Sequence, residues 1–100
     1  MEVISEVYWE ACRWYKLDLK LPDSTQIELF GFPDPPKRPS YPEACGLRHL
    51  ALAVADLAAA VAYLQGRFVA VEPVRMDEGT GKRFTFFAGP DGLPLEPYER

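Results

Sequence analysis

The chain contains a single histidine, His49, and it lies in the apolar, strand-like run of residues 46–54. An imidazole among leucines and alanines needs a hydrogen-bond partner or a metal, because an unpaired buried polar group costs free energy. On this run alone, a core histidine bonded to a backbone carbonyl is a commoner arrangement than a metal ligand. The chemistry becomes more specific only with partners from elsewhere in the chain.

Two other apolar runs each contain one carboxylate, Glu28 in residues 26–30 and Glu96 in residues 93–98. Glutamate rarely lies on a buried strand face unless its charge is paired or bound to a cation. Two carboxylates and one imidazole form a ligand set that suits Zn²⁺, Ni²⁺, Co²⁺, Fe²⁺ or Mn²⁺. With these carboxylates, a divalent-metal site at Glu28, His49 and Glu96 becomes a hypothesis to set beside the core histidine. The alternative is that both glutamates are solvated carboxylates at sheet edges.

The elements that would position these residues fall into a front and a back group. In the front group, period-two alternation of apolar residues predicts three strands at residues 2–9, 14–21 and 25–30. Turns at residues 10–13 and 22–24 join them. Glu28 shares a face with Gln26 and Phe30, so it is predicted to point into a cavity.

A proline-rich extended linker, residues 31–46, separates the front group from the back group. The back group begins with a strand at 47–54. A helix at 57–65 follows, capped by Asp56 and ended by Gly66, with Leu57, Val61 and Leu64 as its buried stripe. Three more strands are predicted near 68–75, 82–88 and 93–98, with a turn at 90–92. The order is βββ in front and βαβββ behind.

Composition excludes several classes of function. The chain has 100 residues, which is one domain's worth, a net charge of −4 and a pI near 4.9. It has no basic stripe that could neutralise phosphates, so we expect no nucleic-acid partner. No apolar run is long enough for a bilayer, and the acidic N-terminus is unlike a signal peptide, so we expect no membrane partner and a cytoplasmic location. Cys12 and Cys45 are expected to be free thiols.

Three strings in this order, QIELFGFPDPP, RPSYPEACGLRHLALAV and TGKRFTFFAGPDGLPLEPYE, resemble the glyoxalase I, bleomycin-resistance and extradiol dioxygenase superfamily, also called vicinal oxygen chelate proteins. The resemblance is to the small bacterial glyoxalase-like members in particular, and it spans about residues 5–99. Members are built from paired βαβββ modules that close around a divalent metal. The resemblance thus implies a single α+β domain over residues 1–100. Its parts are a first module truncated to βββ (1–30), the linker (31–46) and a complete second module (47–100).

The same resemblance implies the roles of the site residues. The first and last strands of each module supply a metal ligand, and Glu28, His49 and Glu96 occupy three of these four positions. The fourth, a histidine, belongs to an opening strand that precedes the pattern seen here. In glyoxalase I the last-strand glutamate transfers the proton, which makes Glu96 the candidate base. Phe68 and Pro97 depart from the family pattern, where a glycine and an apolar residue are usual.

Three functions remain open from the sequence. The first is a metal-dependent enzyme of the lyase, isomerase or dioxygenase type, acting on a small oxygen-bearing substrate. The second is a binding protein that sequesters a small molecule, as in bleomycin resistance. The third is an inactive fragment of a glyoxalase-like protein, or a chain whose start is set too late.

An assembly is also expected from the front group. No helix is predicted to cover its apolar face, which carries Leu17, Leu19, Leu21, Ile27 and Leu29. An exposed apolar patch of this kind marks an interface. We therefore expect a homodimer in which a second chain covers that face.

Overall fold

The computed structural model describes all 100 residues, as eight β-strands and one α-helix. The expected α+β class is confirmed. The chain divides into two compact units, residues 1–36 (unit 1) and residues 37–100 (unit 2). Unit 1 contains three strands: β1 (Glu2–Trp9), β2 (Trp14–Lys20) and β3 (Gln26–Gly31). Unit 2 contains β4 (Leu50–Val54), α1 (Leu57–Gly66), β5 (Arg75–Met76), β6 (Arg83–Phe84), β7 (Phe87–Ala88) and β8 (Pro94–Glu99).

Unit 1 is an antiparallel sheet in the order β1–β2–β3, as the alternating pattern predicts. Leu17 pairs with Leu29 and Leu19 with Ile27, so these apolar side chains share one face. Lys16, Asp18 and Glu28 lie on the other face. No residue of unit 1 is buried, so this sheet has no core of its own.

Unit 2 is a mixed sheet in the order β4–β8–β6–β5, with β7 also paired to β8. The opening strand β4 runs parallel to the last strand β8, and the other pairs are antiparallel. The last strand of the unit is therefore central in its sheet. That arrangement brings the two predicted ligand positions of the second module, at the start of β4 and in the middle of β8, side by side.

The helix α1 covers one face of this sheet. Asp56 caps it by accepting a hydrogen bond from the Ala59 amide at 3.0 Å, as predicted. Leu57 is the most buried apolar side chain of the chain, and α1 packs against β8, where Pro97 is also buried. With ten residues, α1 does not reach the length needed to cross a membrane, and no other helix exists.

The helix extends one residue further than predicted, to Gly66. Gly66 is still helical, and the chain leaves the helix at Phe68, which has a φ of +63°. The amides of Arg67, Phe68 and Val69 return to the last carbonyls of the helix. Phe68 thus holds the left-handed position that usually favours glycine, and its side chain is 98% exposed.

Three predicted strands are shorter than expected. Residues 69–74 form no strand, because Pro73 has no amide to donate and the segment is tied down instead by the Glu72 backbone, which bonds Phe86 and Thr85. Residues 82–88 split into β6 and β7, because their neighbour β8 carries Pro94 and Pro97, which cannot donate to the ladder. The run 47–54 becomes strand only at Leu50.

The late start of β4 has a specific cause. The carbonyls of Leu47 and Arg48 both accept hydrogen bonds from the Arg38 guanidinium, so they are not available to a strand ladder. His49 therefore lies one residue before the strand, not within it. Its side chain is 33% exposed, so it is not a core histidine.

Candidate functional site

His49 and Glu96 come together in unit 2. Ala51 pairs with Glu96 across the parallel β4–β8 ladder, and paired residues of a sheet project to the same face. His49, two residues before Ala51, faces the same way. Its Nε2 atom lies 3.6 Å from Oε1 of Glu96, and the Glu96 side chain is only 13% exposed. The two predicted ligand positions in this unit are thus neighbours on the face opposite the helix.

Aromatic rings fix the position of the imidazole. The His49 ring meets Phe86 edge to face at a centroid distance of 5.2 Å, and Phe86 meets Phe84 in the same way at 6.0 Å. Phe84 also stacks on Tyr98, two residues beyond Glu96 on β8. These contacts give the site an apolar floor and restrict rotation of the imidazole.

The His49 side chain lines a cavity of about 370 Å³ that lies wholly within unit 2. Its wall comes from three places in the sequence. Most of the wall comes from the linker and the run before β4, including Arg38, Tyr41, Glu43 and Arg48. A second side is formed by Glu72 and Arg75. A third side is formed by Phe86 and Pro94. This volume suits a small molecule rather than a polymer.

Two of the three arginines in the wall are paired with glutamates. Arg48 binds Glu43 at 2.7 Å, and that hydrogen bond is the main reason why the pKa of Glu43 is lowered. Arg75 approaches Glu72 at 3.3 Å and lies over the rings of Phe84 and Phe86, at 5.2 and 5.7 Å. Arg38 has no carboxylate partner. Its bonds go to the two backbone carbonyls before His49, and its Nε is buried without an acceptor.

Glu28 belongs to unit 1 and has a different environment. It pairs with Asp18 in the β2–β3 register, and its carboxylate accepts a hydrogen bond from Lys16 at 3.2 Å. Lys16 also lies 3.5 Å from Asp18. The bond to Glu28 is the largest influence on Lys16 and raises its pKa, against a smaller opposing effect of burial. Glu28 itself is 60% exposed. Its meeting with His49 and Glu96 stays a prediction.

A second polar cluster lies near the end of β8. The Tyr98 hydroxyl bonds Asp77 at 2.8 Å and also Thr80, while Asp77 accepts the Gly79 amide at 2.8 Å. The hydrogen bond from Tyr98 is the first cause of a lowered pKa at Asp77. For Tyr98 the bond to Thr80 lowers the pKa, but the bond to Asp77, burial and the charges of Asp77 and Glu96 outweigh it, so the pKa rises. This cluster closes the β5–β6 turn.

The pair of His49 and Glu96 fits part of a metal site. A separation of 3.6 Å is too long for a direct hydrogen bond. Two ligands that each bind one ion at about 2.1 Å lie about 3.4 Å apart in tetrahedral geometry, which is close to this distance. An imidazole and a carboxylate also suit the same divalent metals. Neither unit by itself contains a group of three or more His, Cys, Asp or Glu side chains placed to hold a metal.

Comparison with known proteins identifies the family. The model of the Glyoxalase/Bleomycin resistance protein/Dioxygenase superfamily matches residues 2–96, and the chain belongs to this superfamily. The uncharacterized protein YaeR of Escherichia coli is 60% identical over 96 residues, which cover 96% of this chain and 74% of YaeR. A glyoxalase family protein from Enterococcus faecalis, of known crystal structure, superposes with a TM-score of 0.89 at 48% identity, over 98% of this chain and 77% of that one. The resemblance predicted from the sequence is confirmed.

A further relative has a named activity. A 2-epi-5-epi-valiolone epimerase from Actinomyces sp is 38% identical over 85 residues, which cover 78% of this chain and 46% of the epimerase.

Some residues around the site were not predicted. Arg38, Arg75 and Phe86 were not singled out as contacts of His49 or of a cavity, because their relation to it depends on the linker path and the irregular segment 69–74. Arg38 lies only 11 residues before His49. The proline-rich linker has no regular alternation of apolar residues, so the sequence does not show towards which side the Arg38 side chain points. Thr85 and Tyr98 form hydrogen bonds within unit 2, and Arg83 forms a surface ion pair with Glu99 at 2.9 Å.

Proposed function

We propose that this chain is a divalent-metal-dependent enzyme that moves a proton on a small substrate with two adjacent oxygen atoms, a reaction of the isomerase or lyase type. The observation that carries this proposal is the approach of His49 Nε2 to Glu96 Oε1 on one sheet face beside a small cavity. The family contains both enzymes and resistance proteins. The epimerase among the relatives supports proton transfer, because epimerisation removes a proton from carbon and returns it to the other side.

His49 and Glu96 are proposed as two metal ligands, with Glu28 as the third. When bound, the metal would polarise the neighbouring oxygens of the substrate and make the adjacent C–H bond more acidic. Glu96 is the candidate base, because its carboxylate is largely shielded from water and lies 3.6 Å from the imidazole of His49, which lines the cavity. The ring of Phe86 contacts the imidazole edge to face and restricts its rotation.

To bind a metal, Glu28 would have to give up its contact with the Lys16 ammonium group. Its carboxylate is bound to Lys16, so a metal at Glu28 competes with that ammonium group. A Lys16→Met variant removes the competitor while retaining the aliphatic stem. If Glu28 is a ligand, the affinity of this variant for zinc should be higher than that of the wild type. Unchanged affinity would remove Glu28 from the ligand set.

The proposed active form is a homodimer. The apolar face of unit 1 includes Leu29, which is 49% exposed, and Tyr15, which is 38% exposed. Such a face is a natural site for a second copy of the chain. Sedimentation velocity at micromolar concentration tests this directly, and a well-behaved monomer would contradict it.

We also place the protein in the cytoplasm. Cys12 and Cys45 are free and exposed, a state that a reducing compartment maintains. Fractionation of the native host with antibodies to the chain would test this assignment.

Metal loading tests the central proposal. Protein stripped with chelator is dialysed against Zn²⁺, Ni²⁺, Co²⁺ and Mn²⁺ in turn, and bound metal is measured by elemental analysis. We expect one metal per site in the wild type and severe loss in His49→Ala and Glu96→Gln. Glu99→Gln is the matched control, because Glu99 lies on the same strand but pairs with Arg83. No stoichiometric binding of any of the four metals would refute the proposal.

A binding protein without catalysis is the second candidate. The cavity of unit 2 supports it, because a small molecule could be held there by the arginines alone. In that case Glu96→Gln would leave ligand affinity unchanged. An enzyme of the proposed kind loses activity in the same variant.

A further inference from the structure

The cavity beside His49 carries an excess of positive charge. Its wall contains three arginines and two glutamates, so the positive charges outnumber the negative ones by one. The pairs Arg48–Glu43 and Arg75–Glu72 use both glutamates. Arg38 is left as the one arginine of the wall without an acidic partner.

Two hydrogen bonds hold the Arg38 side chain, although no acidic side chain pairs with its charge. Its Nη2 atom bonds the carbonyls of both Leu47 and Arg48, which hold the guanidinium against the residues just before His49. Its Nε is shielded from solvent and finds no acceptor. A partly desolvated cation without a counter-charge is unfavourable, and an anion nearby relieves that cost. The side chain is thus preorganised for an anionic ligand.

Arg75 contributes to a different part of the wall of the same cavity. It covers the face of Phe86, and Phe86 in turn contacts the His49 ring. Its ion pair with Glu72 uses a single nitrogen at 3.3 Å, and both partners are more than half exposed. Exposed pairs of this kind contribute little, so Arg75 can exchange Glu72 for a ligand at small cost.

We propose that this cavity binds an anionic group of the substrate, a carboxylate or a phosphate, with Arg38 as its fixed charge partner and Arg75 as a second, movable one. The proposal rests on the function proposed above and names its substrate class: a small anion whose charged end is held by the arginines while its reacting oxygens reach His49 and Glu96. Planar guanidinium groups suit both kinds of anion.

The single histidine provides the readout. Because His49 is the only imidazole in the chain, its Hε1 proton gives one isolated NMR signal that reports on the cavity. Metal-free wild-type protein is titrated separately with succinate, inorganic phosphate and the neutral isostere succinamide. We expect a saturable shift of the His49 signal with one of the two anions and none with succinamide. The anion that binds more tightly distinguishes a carboxylate substrate from a phosphate substrate.

Three variants assign the effect. Arg38→Gln should weaken binding of that anion by roughly tenfold or more, as loss of a charge-assisted contact does. Arg75→Gln should weaken it by a smaller factor. Arg67→Gln is the matched control, because Arg67 lies over Tyr63 on the helix and does not line the cavity, and its titration should equal that of the wild type.

Zinc loading separates this proposal from the one before it. Arg38→Gln could disturb the residues before His49, so each variant is also loaded with zinc, and retained loading shows that His49 and Glu96 are in place. The absence of a shift with both anions in zinc-competent wild type overturns the anion site and leaves the metal proposal intact. A shift that persists in both arginine variants also overturns it. Anion binding by a wild type that loads none of the four metals supports the anion site and refutes the metal enzyme.

Discussion

The sheets of the two units differ in how much of their surface is buried. Unit 2 covers one face of its sheet with α1 and buries Leu57, Thr85 and Pro97. Unit 1 has regular strand pairing throughout but no buried residue. Backbone hydrogen bonds alone are a weak source of net stability, and a three-stranded sheet depends on burial of an apolar face.

This difference separates the two halves of the proposed site. His49 and Glu96 are held by packed rings and a central strand, so their geometry is fixed inside unit 2. Glu28 is held by a surface lysine on a sheet without a core. His49 and Glu96 are therefore preorganised. The contribution of Glu28 to the proposed site depends instead on the partner chain that is proposed to cover unit 1.

The largest expected effect comes from deleting core volume in unit 2. Leu57 is 1% exposed, so Leu57→Ala removes buried methyl groups and leaves a cavity under the helix. We expect it to lower the free energy of unfolding by about 3 kcal/mol. The matched change in unit 1 is Leu29→Ala, at a site 49% exposed. Within a monomer it should cost less than about 1 kcal/mol. Urea denaturation followed by circular dichroism measures both.

The pair of variants also probes the dimer. If a second chain covers unit 1, the cost of Leu29→Ala should grow with protein concentration, because the interface contributes to stability by mass action. A cost that equals that of Leu57→Ala at all concentrations would contradict the contrast between the units.

A smaller effect is expected at Thr85, which fixes the irregular segment 69–74. Its hydroxyl donates to the Glu72 carbonyl at 2.6 Å, and the side chain is fully buried. Thr85→Val keeps the shape but leaves that carbonyl without its donor, so we expect a loss of about 1 to 2 kcal/mol. Thr25→Val in unit 1, at an exposed turn, is the control and should be nearly neutral. Equal losses would mean that the buried hydroxyl contributes nothing specific.

Local patterns predicted most of the fold. The strict alternation of residues 14–20 and the Asp56 cap have local causes, so the hairpins of unit 1 and the helix could be found from the sequence. The strand predicted at 68–75 is shorter because Pro73 has no amide to donate and the Glu72 backbone bonds Phe86 and Thr85 instead. The strand predicted at 82–88 is split because its neighbour β8, which is distant in sequence, carries two prolines. The start of β4 was wrong because Arg38 takes the carbonyls that the strand would use.

The proximity of His49 and Glu96 was predictable, because it follows from strand order and register. Parallel pairing of the first and last strands of unit 2 places His49 beside Glu96, and residue types together with a family resemblance gave that pair. The arginines of the cavity could not be found in this way. Arg38 and Arg75 lie in segments without period, and their relation to His49 exists only once the linker and residues 69–74 have folded.

A modest gain in stability is expected at Phe68. A left-handed backbone costs a residue with a side chain roughly 1 to 2 kcal/mol, and Phe68 is exposed enough to lose nothing in packing. Phe68→Gly should therefore stabilise unit 2 by about 1 kcal/mol or less, after the extra freedom of glycine in the unfolded chain is subtracted. Arg13→Gly is the matched change in unit 1, with a φ of +57°.

These two glycine variants test whether the units unfold together. If they unfold separately, Phe68→Gly raises only the transition of unit 2 and Arg13→Gly only that of unit 1. Thermal unfolding measured by calorimetry resolves this. A single transition that both variants shift equally would show that the units are one cooperative body.

The smallest effect is expected in the pH dependence, where the two units should respond at opposite ends of the scale. In unit 2 the Tyr98 hydrogen bond lowers the pKa of Asp77 below its ordinary value of 3.8. A lowered folded-state pKa gives stability that is fully present above the unfolded pKa and is lost as the pH falls through the folded one. Asp77→Asn should therefore destabilise the protein at neutral pH, and its difference from the wild type should shrink below pH 3.8.

In unit 1 the bond to Glu28 raises the pKa of Lys16 above 10.5. A raised folded-state pKa gives stability that is present below the unfolded pKa and is lost as the pH rises through the folded one. The difference between the wild type and Lys16→Gln should therefore be constant near neutrality and shrink above pH 10.5. Melting temperatures across the pH range measure both differences.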